Sequence, residues 1–264
     1  MNLHLENKVT LITGSTAGIG FAIAAGFAAE GARVIVNGRS EKRVEGAISA
    51  ILERHPAAKL EPLVADLATA EAAKRTASRF PAVDILVNNL GVYGPKPFEE
   101  LTDEDWSEII GTNFLSGVRL SRQYLPQMKK ANWGRILFIS SESAVNIPAE
   151  MIHYGVTKTM QVALARGLAE TTAGSHVTVN SVLAGPTRSE GVEQFIQDMA
   201  AQQDKTPEAV EREFFATVRP SSLIQRFASI EEVASMVLFL ASPLAAATNG
   251  AAVRVDGGVV RSIL

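Results

Sequence analysis

Val9–Thr10–Leu11–Ile12–Thr13–Gly14–Ser15–Thr16–Ala17–Gly18–Ile19–Gly20 is the stretch that decides the fold of this chain. Its first five residues are apolar or β-branched, the composition of a short strand buried on both faces. They run without a linker into a glycine turn. A helical pattern follows, with Ile19, Ile23 and Phe27 on one face, and it closes at Gly31. Strand, glycine turn and helix N-terminus in that order build an anion site, because unpaired amide N–H groups and the positive end of the helix dipole converge there. Gly14 is expected to allow the tight turn, Gly18 to let the backbone approach a pyrophosphate, and Gly20 to let the helix pack on the sheet. The spacing is G-x-x-x-G-x-G rather than the common G-x-G-x-x-G, so an ordinary turn stays open as the alternative.

Outward from this stretch, apolar strands alternate with helical patterns. Strands are predicted at Val9–Thr13, Arg33–Asn37, Leu60–Ala65, Asp84–Asn88, Arg135–Ser140, Val177–Leu183 and Ala252–Val255. Helices are predicted near 18–30, 41–54, 70–80, 103–130, 151–172 and 230–241, two of them opened by the capping patterns Thr102-x-x-Asp105 and Ser229-x-x-Glu232. This alternation predicts an α/β fold, a parallel sheet of about seven strands covered on both faces. Residues 187–226 interrupt it. There Val192–Ala200 and Pro207–Phe215 read as short amphipathic helices, and an insertion at the C-terminal edge of a parallel sheet is expected to form a substrate lid. The competing reading is a surface pair that only buries Phe195, Phe214 and Phe215.

Bulk properties narrow the function classes. With 264 residues and 47% hydrophobic content, the chain can bury a large core, and 1–264 is read as one domain. A net charge of −3 gives no electrostatic attraction to nucleic acid or an anionic membrane. The absence of cysteine excludes disulfides, thiolate metal sites and cysteine nucleophiles, and no metal is expected. The chain enters its first strand directly after Glu6 and Lys8, leaving no room for a leader, so a soluble cytoplasmic protein is expected.

The chemistry is expected from three residues. Tyr154 and Lys158 are four apart on a predicted helix, which puts phenol and ammonium on one face. An ammonium there favours the phenolate and is expected to bring the phenol toward neutrality from its usual value near ~10. Ser141 ends an apolar strand and offers a hydroxyl to a substrate oxygen. Singly, each residue reads as well as packing, solvated charge or a helix cap; jointly with the glycine turn they point to catalysis.

At these residues the chain resembles the short-chain dehydrogenases/reductases, over nearly its whole length and in the family's motif order. Thr13–Gly20 resembles the family's T-G-x-x-x-G-x-G turn, and Asp66 the acidic residue that touches adenine. Asn88–Asn89–Leu90–Gly91 is similar to the N-N-A-G segment, with Leu90 in place of alanine. Asn113, Ser141, Tyr154 and Lys158 match the catalytic tetrad. The chain departs from the family after its sixth strand, reading Leu183–Ala184–Gly185–Pro186–Thr187 where Pro-Gly is usual. The resemblance implies a doubly wound Rossmann-type sheet of order 3-2-1-4-5-6-7, NAD(P)-dependent hydride transfer and a homotetramer. It implies cofactor contacts from Gly14, Ser15, Thr16, Gly18, Ile19 and Gly20, from Asp66, Leu67, Asn89 and Gly91, and from Tyr154 and Lys158. Gly185, Thr187 and Ser189 are expected to meet the nicotinamide carboxamide. Asn113 is expected to hold a water that links Lys158 to solvent.

Gly38, at the end of the second strand, stands where an NAD-specific site carries a carboxylate, and Arg39 follows with a planar fork suited to a 2′-phosphate. NADP(H) is therefore favoured, with NAD(H) kept possible. The expected substrate is a small carbonyl or alcohol. The first reading is a ketone or 3-oxoacyl reductase, with Lys129 and Lys130 as candidates for a basic patch at the mouth of the site. An alcohol, sugar or steroid-like dehydrogenase and a non-catalytic cofactor sensor stay open. Tyr93, Glu142, Ser143, Ile147 and His153 are candidate wall residues, and His153 is given no catalytic role. Apolar side chains from Val259 to Leu264 are expected to be exposed in a monomer.

Overall fold

The computed structural model describes residues 1–263. Seven parallel strands form the main sheet: β1 (Val9–Ile12), β2 (Arg33–Gly38), β3 (Lys59–Val64), β4 (Ile85–Asn88), β5 (Gly134–Ser141), β6 (Val177–Ala184) and, last in the chain, β9 (Ala252–Val255). Their order is β3-β2-β1-β4-β5-β6-β9, the implied one. Strand order reverses between β1 and β4, which opens a crevice beyond their C-terminal ends. The glycine turn leaves β1 there, and Asn88–Gly91 leaves β4.

Adjacent strand residues point to opposite faces, so each strand feeds two cores. Ile12, Val34 and Val36 join one core under α1 (Gly18–Ala29), α2 (Glu41–Arg54) and α9 (Ile230–Ala241). Leu11, Ile35 and Leu86 join the other under α3 (Ala70–Arg79), α5 (Ser116–Lys130) and α6 (Ile152–Glu170). Ile23 and Phe27 of α1 are fully buried, the face predicted for them; each such side chain contributes roughly 1.5–3 kcal/mol. Pro62 sits in β3, an edge strand, where its missing N–H costs least. Among the described residues no helix is long and apolar enough to cross a membrane.

Both capping patterns close as full capping boxes, at the start of α4 (Asp103–Ile110) and of α9. The helix predicted over 103–130 is not continuous. A π-turn at Gly111–Leu115 separates α4 from α5 and carries Asn113. The 3.6-residue pattern survives such a one-residue insertion, so periodicity alone does not show it.

The insertion holds α7 (Glu190–Gln203) and α8 (Pro207–Thr217). A two-stranded parallel ladder, β7 (Thr187–Arg188) with β8 (Ala228–Ser229), ties its two ends together. Ile196, Val210, Phe215 and Phe227 form a separate small core, with Phe214 stacked on Phe227 at 5.1 Å. Phe195, expected among the buried aromatics, is 53% exposed. At the chain's end Val259 and Val260 are buried, against expectation, while Ile263 is exposed; Leu264 lies outside the described residues.

Candidate active site

The glycine turn is shaped for close approach. Gly14 (φ 62°) and Gly18 (φ 56°) hold left-handed conformations that other residues adopt at a cost. A Cβ on Gly20 would lie 2.3 Å from the Gly14 carbonyl oxygen and 2.4 Å from Asn89 Nδ2. Asn89 explains that crowding, since its amide donates to the carbonyls of Thr13 and Gly14 at 2.9 and 3.0 Å. Thr13 Oγ1 accepts from the N–H groups of Asn89 and Leu90. The turn after β1 and the segment after β4 are thus one hydrogen-bonded unit. Gly20→Ala is expected to break it, lowering stability by about 1–3 kcal/mol and weakening nucleotide binding together; thermal melts and a fluorescence titration with NADPH read both effects.

Two expected cofactor contacts need correction. Ser15 is completely buried; its hydroxyl donates to the Ile12 carbonyl at 2.8 Å and accepts from Asn37 N–H at 2.8 Å. It braces the turn from below and presents no surface to a nucleotide. Leu67 is 1% exposed and packs in the core under α3, so any contact falls to its backbone. Thr16 and Ile19 are only partly covered, Asp66 and Gly91 are exposed, and all four remain at the crevice. Thr187 donates to the Gly185 carbonyl at 2.9 Å, and Ser189 caps α7. The Ser189 Cβ lies 3.5 Å from where a Gly18 Cβ would be, so the insertion begins directly over the glycine turn.

At the other half of the crevice, α6 lays Tyr154 and Lys158 one turn apart, with the Lys158 Nζ 5.5 Å from the Tyr154 ring centre. Ser141 ends β5, where its hydroxyl accepts from Ser143 N–H at 3.1 Å and acts to lower the pKa of the Tyr154 phenol. The Lys158 ammonium donates to the Ile139 carbonyl at 2.8 Å, while Ser140 Oγ donates to the Lys158 carbonyl, locking α6 onto β5. Gly91 brings the β4 segment in, its missing Cβ position lying 3.4 Å from Lys158 Nζ and 3.6 Å from Asn113 Oδ1.

The electrostatics differ from the expectation. Burial pushes the Tyr154 phenol up to about 12, beyond what the Ser141 hydrogen bond offsets, with the nearby Glu142 and Tyr93 adding to the rise. Burial also brings Lys158 down to about 8, so the ammonium is itself weakened and does not dominate the phenol. In this state Tyr154 is a loaded proton donor rather than a near-neutral acid.

Asn113 is held at both ends of its amide. Its Oδ1 accepts from Val92 N–H at 2.7 Å, and its Nδ2 donates to the Val92 carbonyl and to Thr157 Oγ1. Its own carbonyl accepts from Gln161 Nε2 at 2.6 Å. The side chain clamps the loop after β4. Gln161, two turns beyond Tyr154 on α6, went unremarked in the sequence because a glutamine on a helix carries no signal of its own.

Tyr93 stands 61% exposed with its ring edge-on to Tyr154 at 6.1 Å, which makes it a wall of the site. His153 is buried against Trp106, ring centres 6.2 Å apart. Lys129 and Lys130 lie at the wrong end. They precede the N-terminal end of β5, whereas Ser141 closes its C-terminal end, about 25 Å away along the strand. Lys129 Nζ donates to the Thr171 carbonyl just past the end of α6, a helix-end contact rather than a docking patch.

Comparison with known proteins agrees with this geometry. Residues 14–260 match the family described as enoyl-(acyl carrier protein) reductase. YvaG of Bacillus subtilis (strain 168), an uncharacterized oxidoreductase, is 46% identical over 100% of both chains. D-beta-hydroxybutyrate dehydrogenase of Rhizobium meliloti (strain 1021) is 35% identical over 95% of this chain and 98% of that one. The crystal structure of L-sorbose reductase from Gluconobacter frateurii, complexed with NADPH and L-sorbose, superposes with a TM-score of 0.92 at 29% identity, covering 100% of both chains.

Proposed function

The chain belongs to the short-chain dehydrogenase/reductase family of NAD(P)-dependent oxidoreductases, and on that basis we propose that it is an NADPH-dependent reductase of small ketones. The observation that carries the reading is the convergence of Ser141, Tyr154 and Lys158 at the C-terminal end of β5, with burial keeping the Tyr154 phenol protonated in the neutral range. Bound NADPH supplies the hydride. Ser141 Oγ holds the ketone oxygen, and Tyr154 Oη gives its proton to that oxygen as negative charge develops there. Lys158 stands behind the phenol and supplies positive charge as it becomes a phenolate. The glycine turn holds the pyrophosphate by its backbone N–H groups. The same site run backwards oxidises a secondary alcohol, and the substrates of the hydroxybutyrate and sorbose relatives fit either direction.

NADP(H) over NAD(H) is supported at the end of β2. A Cβ on Gly38 would lie 2.6 Å from the Thr16 methyl, so the position that would carry a ribose-binding carboxylate is closed by the glycine turn. Arg39 next to it is exposed and without a hydrogen-bond or ion-pair partner among the described residues. Lys42 and Arg43 are exposed on the first turn of α2 beside it. Arg39→Ala is expected to raise the KM for NADPH about 10- to 100-fold and to leave that for NADH nearly unchanged, the loss of a charge-assisted phosphate contact. A wild type that prefers NADH in steady-state kinetics overturns the assignment.

Residues 187–226 are read as the substrate lid, supported by their separate core and by the seating of Ser189 over the glycine turn. A homotetramer is proposed with it, supported by Ile263, which stands 92% exposed; a monomeric mass in light scattering overturns that part.

A further inference from the structure

Glu142 follows Ser141 directly and is 3% exposed, which is rare for a carboxylate without full compensation. Compensation is only half present. Its Oε1 accepts from Arg219 Nε at 2.9 Å, across 77 residues of sequence, while its Oε2 is buried with no hydrogen-bond partner. Burial is the largest influence and raises its pKa, with the neighbouring Asp256 adding to the rise, while Arg219 and Ser143 pull it back toward the ionised form. Glu142 opens the turn directly after Ser141 at the C-terminal end of β5, the end on which the crevice opens, and the Tyr154 phenol feels its charge. Arg219 arrives from just past α8, so the pair joins the floor of the site to the lid. The Arg219 side chain is largely covered, 11% exposed, and its Nη1 donates to the Val218 carbonyl.

A buried acceptor left open beside a catalytic hydroxyl suits one kind of ligand group, a hydroxyl that can donate to it. An apolar chain on the substrate would leave that oxygen unpaired at a cost of about 1–3 kcal/mol. A carboxylate on the substrate would face it as a like charge. Building on the reductase reading above, we propose that Glu142, anchored by Arg219, is a specificity-determining residue that binds a hydroxyl of the substrate near its carbonyl. The substrate class is then a neutral hydroxylated ketone such as a ketose, in preference to a plain ketone or a keto acid.

The test compares NADPH oxidation by the wild type with ketohexoses, with 2-hexanone and with acetoacetate. The kcat/KM ratio of the best ketohexose to 2-hexanone is expected to be roughly 100, as a site built to hydrogen-bond a hydroxyl rejects the analogue lacking it. The double variant Glu142→Leu/Arg219→Leu leaves no charge unpaired, and it should bring that ratio within about fivefold of unity. Glu142→Gln keeps an acceptor oxygen and should hold the ratio within about tenfold of the wild type. Thermal melts and NADPH titrations separate lost recognition from lost fold. A wild type that reduces plain ketones or acetoacetate as well as ketohexoses overturns the Glu142 assignment and leaves the reductase reading standing. So does a preference that survives in the double variant. A wild type that binds NADPH but oxidises it with none of these overturns both.

Discussion

Tyr154→Phe is expected to lower kcat by about three orders of magnitude while the dissociation constant for NADPH changes less than about threefold. The variant removes one oxygen and keeps the ring, so the edge contact with Tyr93 and the packing on α6 survive. Lys158 stays bonded to the Ile139 carbonyl, and the glycine turn on the far side of the crevice is untouched. What disappears is the proton that the site holds ready, on a phenol that burial keeps at about 12. Ser141 remains to polarise the ketone, which leaves a residual rate above background. That residue must draw its proton from water, so it should rise as pH falls, whereas the wild-type reductive rate has no such dependence on the phenol near neutrality. A kcat within tenfold of wild type removes Tyr154 from its role.

Much of this arrangement was legible in the sequence because each part is written in contiguous residues. The two-faced apolar strands gave the parallel sheet, and Thr102–Asp105 and Ser229–Glu232 gave two helix starts to the residue. The crowding at Gly20 follows from a turn whose glycines were already in place. What stayed hidden depends on contacts distant in sequence. Nothing near Ser15 tells that its hydroxyl turns inward to Asn37 rather than outward to a phosphate. The β7–β8 ladder has two residues per strand, too few for any period. Glu142 was one candidate wall residue among several; its meaning depends on Arg219 arriving from the insertion 77 residues away. The residues that the resemblance matched to a tetrad do come together, but the electrostatics among them were not legible. Spacing places an ammonium beside a phenol, and only packing reveals that both are stripped of water.

That same desolvation makes Lys158→Met a variant with two large and opposite effects. Loss of the ammonium behind Tyr154 should reduce kcat/KM by about a thousandfold, since both the charge opposite the forming phenolate and a polar contact toward the nucleotide are gone. Stability should move the other way. Burial lowers Lys158 from 10.5 to about 8, so in the folded chain it gives up a proton that the unfolded chain still holds between those values. Stability therefore rises with pH across that window, and the full penalty, about 3 kcal/mol, is present below pH 8. Methionine has similar length and no charge to desolvate. Set against about 1 kcal/mol for the hydrogen bond lost to the Ile139 carbonyl, the variant should be about 2 kcal/mol more stable than wild type at pH 7. The difference should shrink as pH climbs from about 8 toward 10.5, where the wild-type lysine no longer pays for its charge. Tyr154, held up to about 12 in the folded chain, stays protonated across that window and so drops out of the comparison. Urea denaturation of both at pH 7 and pH 10 measures the two gaps. A variant less stable than wild type at pH 7, or a gap that widens with pH, would mean that the lysine is carried there without strain. A site that gains stability when its function is removed is one in which burial of the charge is maintained for the chemistry alone.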